Sequence, residues 1–284
     1  MTSLLCVGNF GTGKKEQYDV AKLMWDISDN CKLILGLGNN IYPDGVHSVD
    51  DHLFLEKFEI PYKLLPNNIK FYNILGNKDY HLKKSPQSQI NYTSHSFRWI
   101  MPHNFYCFVK RFNQVPVEFI AIDTNLDKMK NRVSQEKWAV NTLLESKARW
   151  RILFGHHPWK SFGEKKENHI PSKLDELYTK LVETNKVDLI ISGHENSQQH
   201  IYIPGKPDMI ISGVGGFTAN DTLKSTSTST NILDTDSSIL MAKELKFRSP
   251  ELGCVKIDVT KKMLVINFLN VNKKVLYGFK IKKR

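Results

Sequence analysis

Short apolar segments alternate with amphipathic segments along the first two thirds of the chain. Short apolar segments of this kind are typical of buried strands, and several of them end in glycine, asparagine or histidine. Strands are predicted at residues 4–7, 32–37, 69–75, 117–122, 151–154, 187–191 and 209–211. Helices, in which apolar residues recur at three- and four-residue spacing, are predicted near 18–27, at 134–147 with Ser134 as N-cap, and near 172–183.

The last part of the chain has a different pattern, in which three alternating segments are separated by short polar turns. Residues 253–259, 263–269 and 275–281 predict meandering strands at one edge of a sheet. The earlier alternation predicts an α/β layered fold whose functional loops lie at the strand ends. A Ser/Thr-rich tract at 225–230, which continues to Asp236, predicts a mobile loop over about residues 219–240. The length of 284 residues suits one domain over 1–284.

The composition limits the cellular locations and the binding partners that we expect for this protein. The net charge of +11 is compatible with an acidic partner, such as nucleic acid, an anionic lipid surface or another protein, although a solvated basic surface is the simpler interpretation. The sequence has no apolar run long enough to span a bilayer and no signal-peptide pattern at Met1, so we expect a cytoplasmic protein or a component of a virion or other structural assembly. The four cysteines are scattered singly, which favours free thiols.

A glycine-rich segment at residues 8–14 follows a predicted strand and fits the spacing of a phosphate-binding P-loop. The next residue is Lys15, where such a loop needs a hydroxyl to hold magnesium. The pattern therefore argues against a nucleotide site here.

Five glycine-led polar clusters follow predicted strands at intervals along the chain. They are GNFG at 8–11, GNNIY at 38–42, GNKDY at 76–80, GHHP at 155–158 and GHEN at 193–196. Their order and spacing resemble the five motifs of the purple acid phosphatases, which read GDxG, GDxxY, GNHD or GNHE, GHxP and GHxH. The resemblance spans nearly the whole chain. It implies a metallophosphoesterase fold, a calcineurin-like four-layer α/β/β/α sandwich.

The resemblance also implies a two-metal site bridged by an aspartate. Carried over position by position, the first ion would be bound by Asn9, Asn39, Tyr42 and Asn196, and of these only Tyr42 keeps the family's residue. The second ion would share Asn39 as the bridge and would otherwise be bound by Asn77, His156 and His194, which are intact.

The replacement of carboxylates by neutral amides at positions 9 and 39 removes the negative charge that two nearby cations require. An amide also presents an NH2 donor toward a cation. We therefore expect no two-metal cofactor, while Asn77, His156 and His194 could hold one weakly bound zinc or similar divalent ion. The family's histidine near the leaving group is replaced by Lys78, whose positive charge suits an anion more than a metal.

The favoured hypothesis is a catalytically inactive, purple acid phosphatase-like scaffold, a pseudophosphatase similar to the glideosome-associated type, that binds a protein partner. One alternative is a weak phosphoesterase with a single metal ion. The other is a phosphate or nucleotide sensor in which Lys78, His156 and His194 bind an anion. Asp79 is expected to brace the third loop through bonds to backbone groups, and His157 to line the pocket.

Overall fold

The computed structural model describes residues 1–163, 171–217 and 243–283. Its strands are β1 Thr2–Val7, β2 Cys31–Gly36, β3 Phe71–Asn73, β4 Trp99–Ile100, β5 Tyr106–Phe112, β6 Val115–Ala121, β7 Trp150–Gly155, β8 Leu189–Ser192, β9 Gln198–Ile201, β10 Asp208–Ser212, β11 Leu245–Ser249, β12 Gly253–Val259, β13 Met263–Asn270 and β14 Val275–Lys282. The α-helices of these ranges are α1 Lys15–Asp26, α2 Ser85–Asn91, α3 Arg132–Glu145 and α4 Ser172–Glu183. Shorter helical turns lie at Leu55–Glu59, Lys78–Tyr80 and Tyr92–Ser94.

Within the described residues the strands form two seven-stranded sheets. The first has the order β14-β13-β12-β1-β2-β3-β4, and the second has the order β11-β9-β10-β8-β7-β6-β5. Strands β1 to β4 are parallel to one another, as are β6, β7, β8 and β10, while β12 to β14 form the antiparallel meander expected from the alternating tail. The alternation of strands and helices therefore produces two mixed sheets.

Apolar side chains fill two layers. The larger cluster includes Leu35 and Ile257 of the first sheet together with Phe119 and Phe154 of the second, so it lies between the sheets. The smaller cluster packs residues of α3 and α4 against the opposite face of the second sheet, and α1 contacts β12 of the first sheet. The predicted four-layer α/β/β/α sandwich is confirmed.

Several element boundaries differ from the sequence prediction. Helix α3 begins at Arg132 with Asn131 as its N-cap, and not at Ser134, because the backbone N–H of Gln135 already donates to the Asn131 carbonyl. Strand β3 covers only three residues, since the chain leaves the sheet where Asn40 Nδ2 donates to the carbonyl of Ile74. Strand β9 was not predicted, because its first two residues are glutamines that are buried with their amides hydrogen-bonded.

The predicted loop at 219–240 lies outside the described residues. Cys6, Cys31, Cys107 and Cys254 are free thiols, as expected. Among the helices in the described ranges, none combines the length and the apolar character that crossing a bilayer requires.

Trp99 in the short strand β4 is a sensitive point of the core. Its indole N–H donates to the carbonyl of Gln89 at 2.9 Å, and its ring lies 4.8 Å from Phe58 and 5.6 Å from Phe54 between centroids. Trp99→Ala should lower the free energy of unfolding by about 3–5 kcal/mol, because it removes a buried ring and leaves a cavity. Phe97→Ala is the control, since Phe97 is 56% exposed. Equal losses in urea denaturation would contradict the described packing.

Candidate metal centre

The five glycine-led loops meet at one end of the sandwich. In the first sheet, β1, β2 and β3 run parallel and lead into the loops at 8–11, 38–42 and 76–80. In the second sheet, β7 and β8 run parallel and lead into the loops at 155–158 and 193–196. The carboxyl ends of parallel strands lie at the same edge of a sheet, so residues distant in sequence become neighbours there.

Glycine is required where these loops touch. A Cβ atom on Gly76 would lie 2.3 Å from the backbone nitrogen of Asn39, so the second and third loops could not approach as they do. Gly38 has a φ of 85°, and a Cβ atom there would lie 2.6 Å from Nδ1 of His156. These two glycines bring amide and imidazole side chains into one site.

The side chain of Asn9 is fully buried, and its amide nitrogen is surrounded by oxygen atoms. Asn9 Nδ2 lies 3.0 Å from the carbonyl oxygen of His194, 3.4 Å from that of Glu195 and 2.9 Å from that of Gly213. It also lies 3.1 Å from Oδ1 of Asn196. Backbone carbonyls only accept hydrogen bonds, so this environment selects an NH2 group at position 9.

Asn39 continues the same network. Its Nδ2 donates to Oδ1 of Asn9 at 3.1 Å and to the hydroxyl of Tyr42 at 3.1 Å. Its Oδ1 accepts from the backbone N–H of Lys78 at 2.9 Å. Desolvation raises the pKa of the Tyr42 phenol, so Tyr42 stays a neutral phenol at physiological pH.

The amides of Asn196, Asn9 and Asn39 therefore form a continuous chain of hydrogen bonds, which we call the amide chain. At positions 9 and 39 of this chain, NH2 groups lie where the family pattern has carboxylate oxygens. Donors repel cations, and the amide oxygens are already engaged by donors. The residues at the first metal position thus do not fit a bound cation, and those at the bridge do not fit a pair.

The histidines on the other side of the site have a different environment. His156 is buried, and its Nδ1 lies 2.7 Å from the carbonyl oxygen of Leu37. A carbonyl must receive a proton, so the neutral ring carries hydrogen on Nδ1 and a lone pair on Nε2. That Nε2 atom lies 3.1 Å from Oδ1 of Asn77 and 3.3 Å from Nδ1 of His194. A backbone carbonyl on the second ring nitrogen is the usual arrangement of metal-binding histidines.

His157 lies beside this pair. Its ring centroid is 4.5 Å from that of His194 and 4.9 Å from that of His156. The ligand-type nitrogens of the three histidines all lie within 4.8 Å of one another. This cluster, together with Asn77, fits a single divalent cation bound by neutral ligands.

The family model for the calcineurin-like phosphoesterases matches residues 7–198, which include all five loops. The chain belongs to this family.

Among curated proteins, this chain is similar to plant and mammalian acid phosphatases. It is 31% identical to purple acid phosphatase 4 of Arabidopsis thaliana, over 75% of this chain and 68% of that protein. It is 29% identical to purple acid phosphatase 7 of the same plant, over 75% of this chain and 70% of the relative. Tartrate-resistant acid phosphatase type 5 of Oryctolagus cuniculus is 25% identical over 88% of this chain and 79% of its own length. The protein is thus purple acid phosphatase-like.

Solved structures share the fold. GAP50, the anchor in the inner membrane complex of Plasmodium, superposes with a TM-score of 0.81 at 20% identity, covering 100% of this chain and 89% of that one. The purple acid phosphatase PPD1 of yellow lupin superposes with a TM-score of 0.71 at 13% identity, covering 99% of this chain and 53% of that one.

The five glycine-led loops bring together every site residue that the sequence indicated. Asn9, Asn39, Tyr42 and Asn196 lie in the amide chain or contact it, and Asn77, His156 and His194 lie at its other side. Lys78 joins the site through its backbone N–H, and its role in anion binding stays a prediction. The sequence predicted only that His157 lines the pocket. Its place next to His156 in the GHHP motif was a signal that it belongs to the histidine cluster.

Asp79 braces the third loop, as predicted, and it also ties that loop to the second one. Its buried carboxylate accepts hydrogen bonds from the backbone N–H groups of Gly76 at 2.8 Å, Asn40 at 3.0 Å and Ile41 at 3.3 Å, and from Nε2 of Gln89 at 3.0 Å. Burial raises the pKa of Asp79 to about 6, and these donors oppose that rise. The brace holds Asn39 and Asn77 at their positions on either side of the site.

The environment of Asn9 makes a testable distinction between an amide and a carboxylate. Asn9→Asp should lower the free energy of unfolding by about 3 kcal/mol, the scale of leaving a buried charge uncompensated, because the new oxygen would face the carbonyls of His194, Glu195 and Gly213. Chemical denaturation with and without added zinc or iron measures the loss.

Asn30→Asp is a matched control. Asn30 also has a left-handed backbone, with a φ of 62° against 54° for Asn9, but its side chain is exposed. The control should unfold like the wild type. If Asn9→Asp were equally stable, or were restored by a metal ion, the site would still accept the family's carboxylate.

Proposed function

We propose that this calcineurin-like phosphoesterase is catalytically inactive and acts as a structural or interaction scaffold. The amide chain is the observation that carries the proposal. In a two-metal phosphoesterase, the cations polarise the phosphate and activate water, and carboxylates offset their mutual repulsion. Here the amides of Asn9, Asn39 and Asn196 bond to one another and to backbone carbonyls instead.

At the centre of the network, the side-chain oxygens of Asn9 and Asn39 both have hydrogen-bond donors. The Asn9 oxygen accepts from Asn39, and the Asn39 oxygen accepts from Lys78. A site that had simply lost its metal would leave buried polar atoms without partners, which is destabilising. The self-contained network supports a fold that is stable without two cations, as a scaffold requires.

Comparison with the structural neighbours supports the same role. The neighbour with the TM-score of 0.81 is described as an anchor, which shows that this fold serves a structural role elsewhere. The similarity to purple acid phosphatases indicates the ancestry of the fold and of the five loops.

A scaffold needs a surface for its partner, and the antiparallel meander of β12 to β14 provides a basic one. Residues 253–283 contain eight lysines and one acidic residue. In β14, Phe279 points inward and stacks on His200 with ring centroids 3.6 Å apart. Neighbouring residues of a strand point to opposite faces, so Lys280 and Lys282 point outward, and both are exposed. An acidic protein surface would complement this face.

Catalytic inactivity is tested on protein purified without chelator. We expect at most one equivalent of metal per chain, and no turnover of an aryl phosphate above the uncatalysed rate, because the ligands that bind and offset two cations are absent. Elemental analysis and a colorimetric assay measure both, with an active purple acid phosphatase as the positive control. Two metal equivalents together with turnover would refute the proposal.

The basic face is tested by charge reversal in a pull-down from the native source. Lys280→Glu combined with Lys282→Glu should reduce recovery of a directly binding acidic partner at least about tenfold, because it replaces attraction by repulsion. Lys83→Glu combined with Lys84→Glu is the matched control, since it makes the same change in net charge at two exposed lysines of another surface. Equal recovery with both double variants would exclude the meander as the binding face.

A further inference from the structure

Loss of the carboxylates leaves one half of the site with a complete set of neutral ligands. Asn77, His156, His157 and His194 come from the loops that follow β3, β7 and β8, and we call them the four-ligand cluster. Because β3 belongs to the first sheet and β7 and β8 belong to the second, the cluster bridges the two sheets.

Two distances at His156 match the ligand spacing of zinc. Tetrahedral zinc has bonds to nitrogen of about 2.0–2.1 Å, which places adjacent ligand atoms about 3.3 Å apart. Nε2 of His156 lies 3.1 Å from Oδ1 of Asn77 and 3.3 Å from Nδ1 of His194. The bond of His156 Nδ1 to the Leu37 carbonyl also fixes the tautomer that directs a lone pair at the cation.

His157 can supply the fourth ligand. Thr124 positions it, because the threonine hydroxyl oxygen accepts from the His157 backbone N–H at 3.0 Å and lies 2.7 Å from Nδ1 of its ring. In the family pattern, a bridging carboxylate would complete this half of the site. Here that position is Asn39, whose amide is bonded to Asn9 and to Tyr42.

We propose that Asn77, His156, His157 and His194 bind a single zinc ion in a closed, structural site. This inference rests on the proposed inactive function and deepens it. Structural zinc sites have four protein ligands, whereas catalytic sites keep one position for water or substrate. With His157 as a ligand, the zinc would hold the loops of the two sheets together and would have no position left for activated water.

The test uses the full chain, stripped with a chelator and titrated with zinc chloride. We expect one zinc per chain and a higher thermal midpoint on binding, because zinc bound only to the folded state stabilises it. Cobalt(II) should give the strong visible absorption of a four-coordinate site. His157→Gln, which can still bond to Thr124, should weaken zinc binding at least about tenfold and change the cobalt spectrum as water enters.

His52→Ala is the control, because His52 is exposed and lies outside the cluster. It should bind zinc as the wild type does. Circular dichroism checks that each variant is folded. If His157→Gln does not fold, His157→Asn takes its place.

The outcomes separate the two proposals. If the wild type binds no zinc, the histidines form only a hydrogen-bonded network, and the zinc inference fails while the scaffold proposal stands. If the His157 variants bind zinc and cobalt like the wild type, His157 is not a ligand and the closed site is refuted. If the zinc-loaded protein turns over an aryl phosphate, both the closed site and the inactive function are refuted.

Discussion

The contact between the amide nitrogen of Asn9 and the surrounding carbonyl oxygens decides what the rest of the site can be. Three of these oxygens belong to the backbone of two different loops, at residues 194–195 and at Gly213. Backbone carbonyls cannot change from acceptor to donor, so the residue at position 9 must donate. Once Asn9 donates there, its oxygen faces Asn39, and Asn39 must donate in turn.

This constraint spreads because the loops have little freedom to move apart. Gly38 and Gly76 allow backbone contacts that no side chain would permit, and the Asp79 carboxylate ties the second loop to the third. An amide chain can replace a metal centre in such a frame because each donor meets an acceptor at about the distance that a ligand would need from its neighbour. The frame therefore holds the amide chain in place without a bound cation.

Much of the fold could be read from the sequence, because its strands are short apolar runs and its loops begin with glycine. The sandwich and the convergence of the five loops followed from that pattern and from the family resemblance. Boundaries were less predictable where polar residues are buried. The glutamines that begin β9 make tertiary hydrogen bonds that no local pattern records.

The candidate site, too, was predicted in part from the sequence and depends in part on tertiary contacts. The family resemblance predicted at which positions this chain differs from the ligand pattern, and physical chemistry indicated that amides would weaken the binding of two cations. It could not reveal that Asn9 faces carbonyl oxygens, since Gly213 is 204 residues away along the chain. It also could not show how near His157 lies to His194, because that distance depends on the pairing of β7 with β8.

The two halves of the site differ because the ligands that the family pattern places in them carry different charge. The first position depended on anionic groups, and neutral amides cannot replace the charge that balances two adjacent cations. The second position depends mainly on imidazoles, which bind one divalent ion as neutral ligands. A single ion has no neighbouring cation to repel it, so the argument that excludes a pair does not exclude one zinc. The Leu37 carbonyl keeps the His156 tautomer that such an ion needs, and this arrangement does not depend on the lost carboxylates.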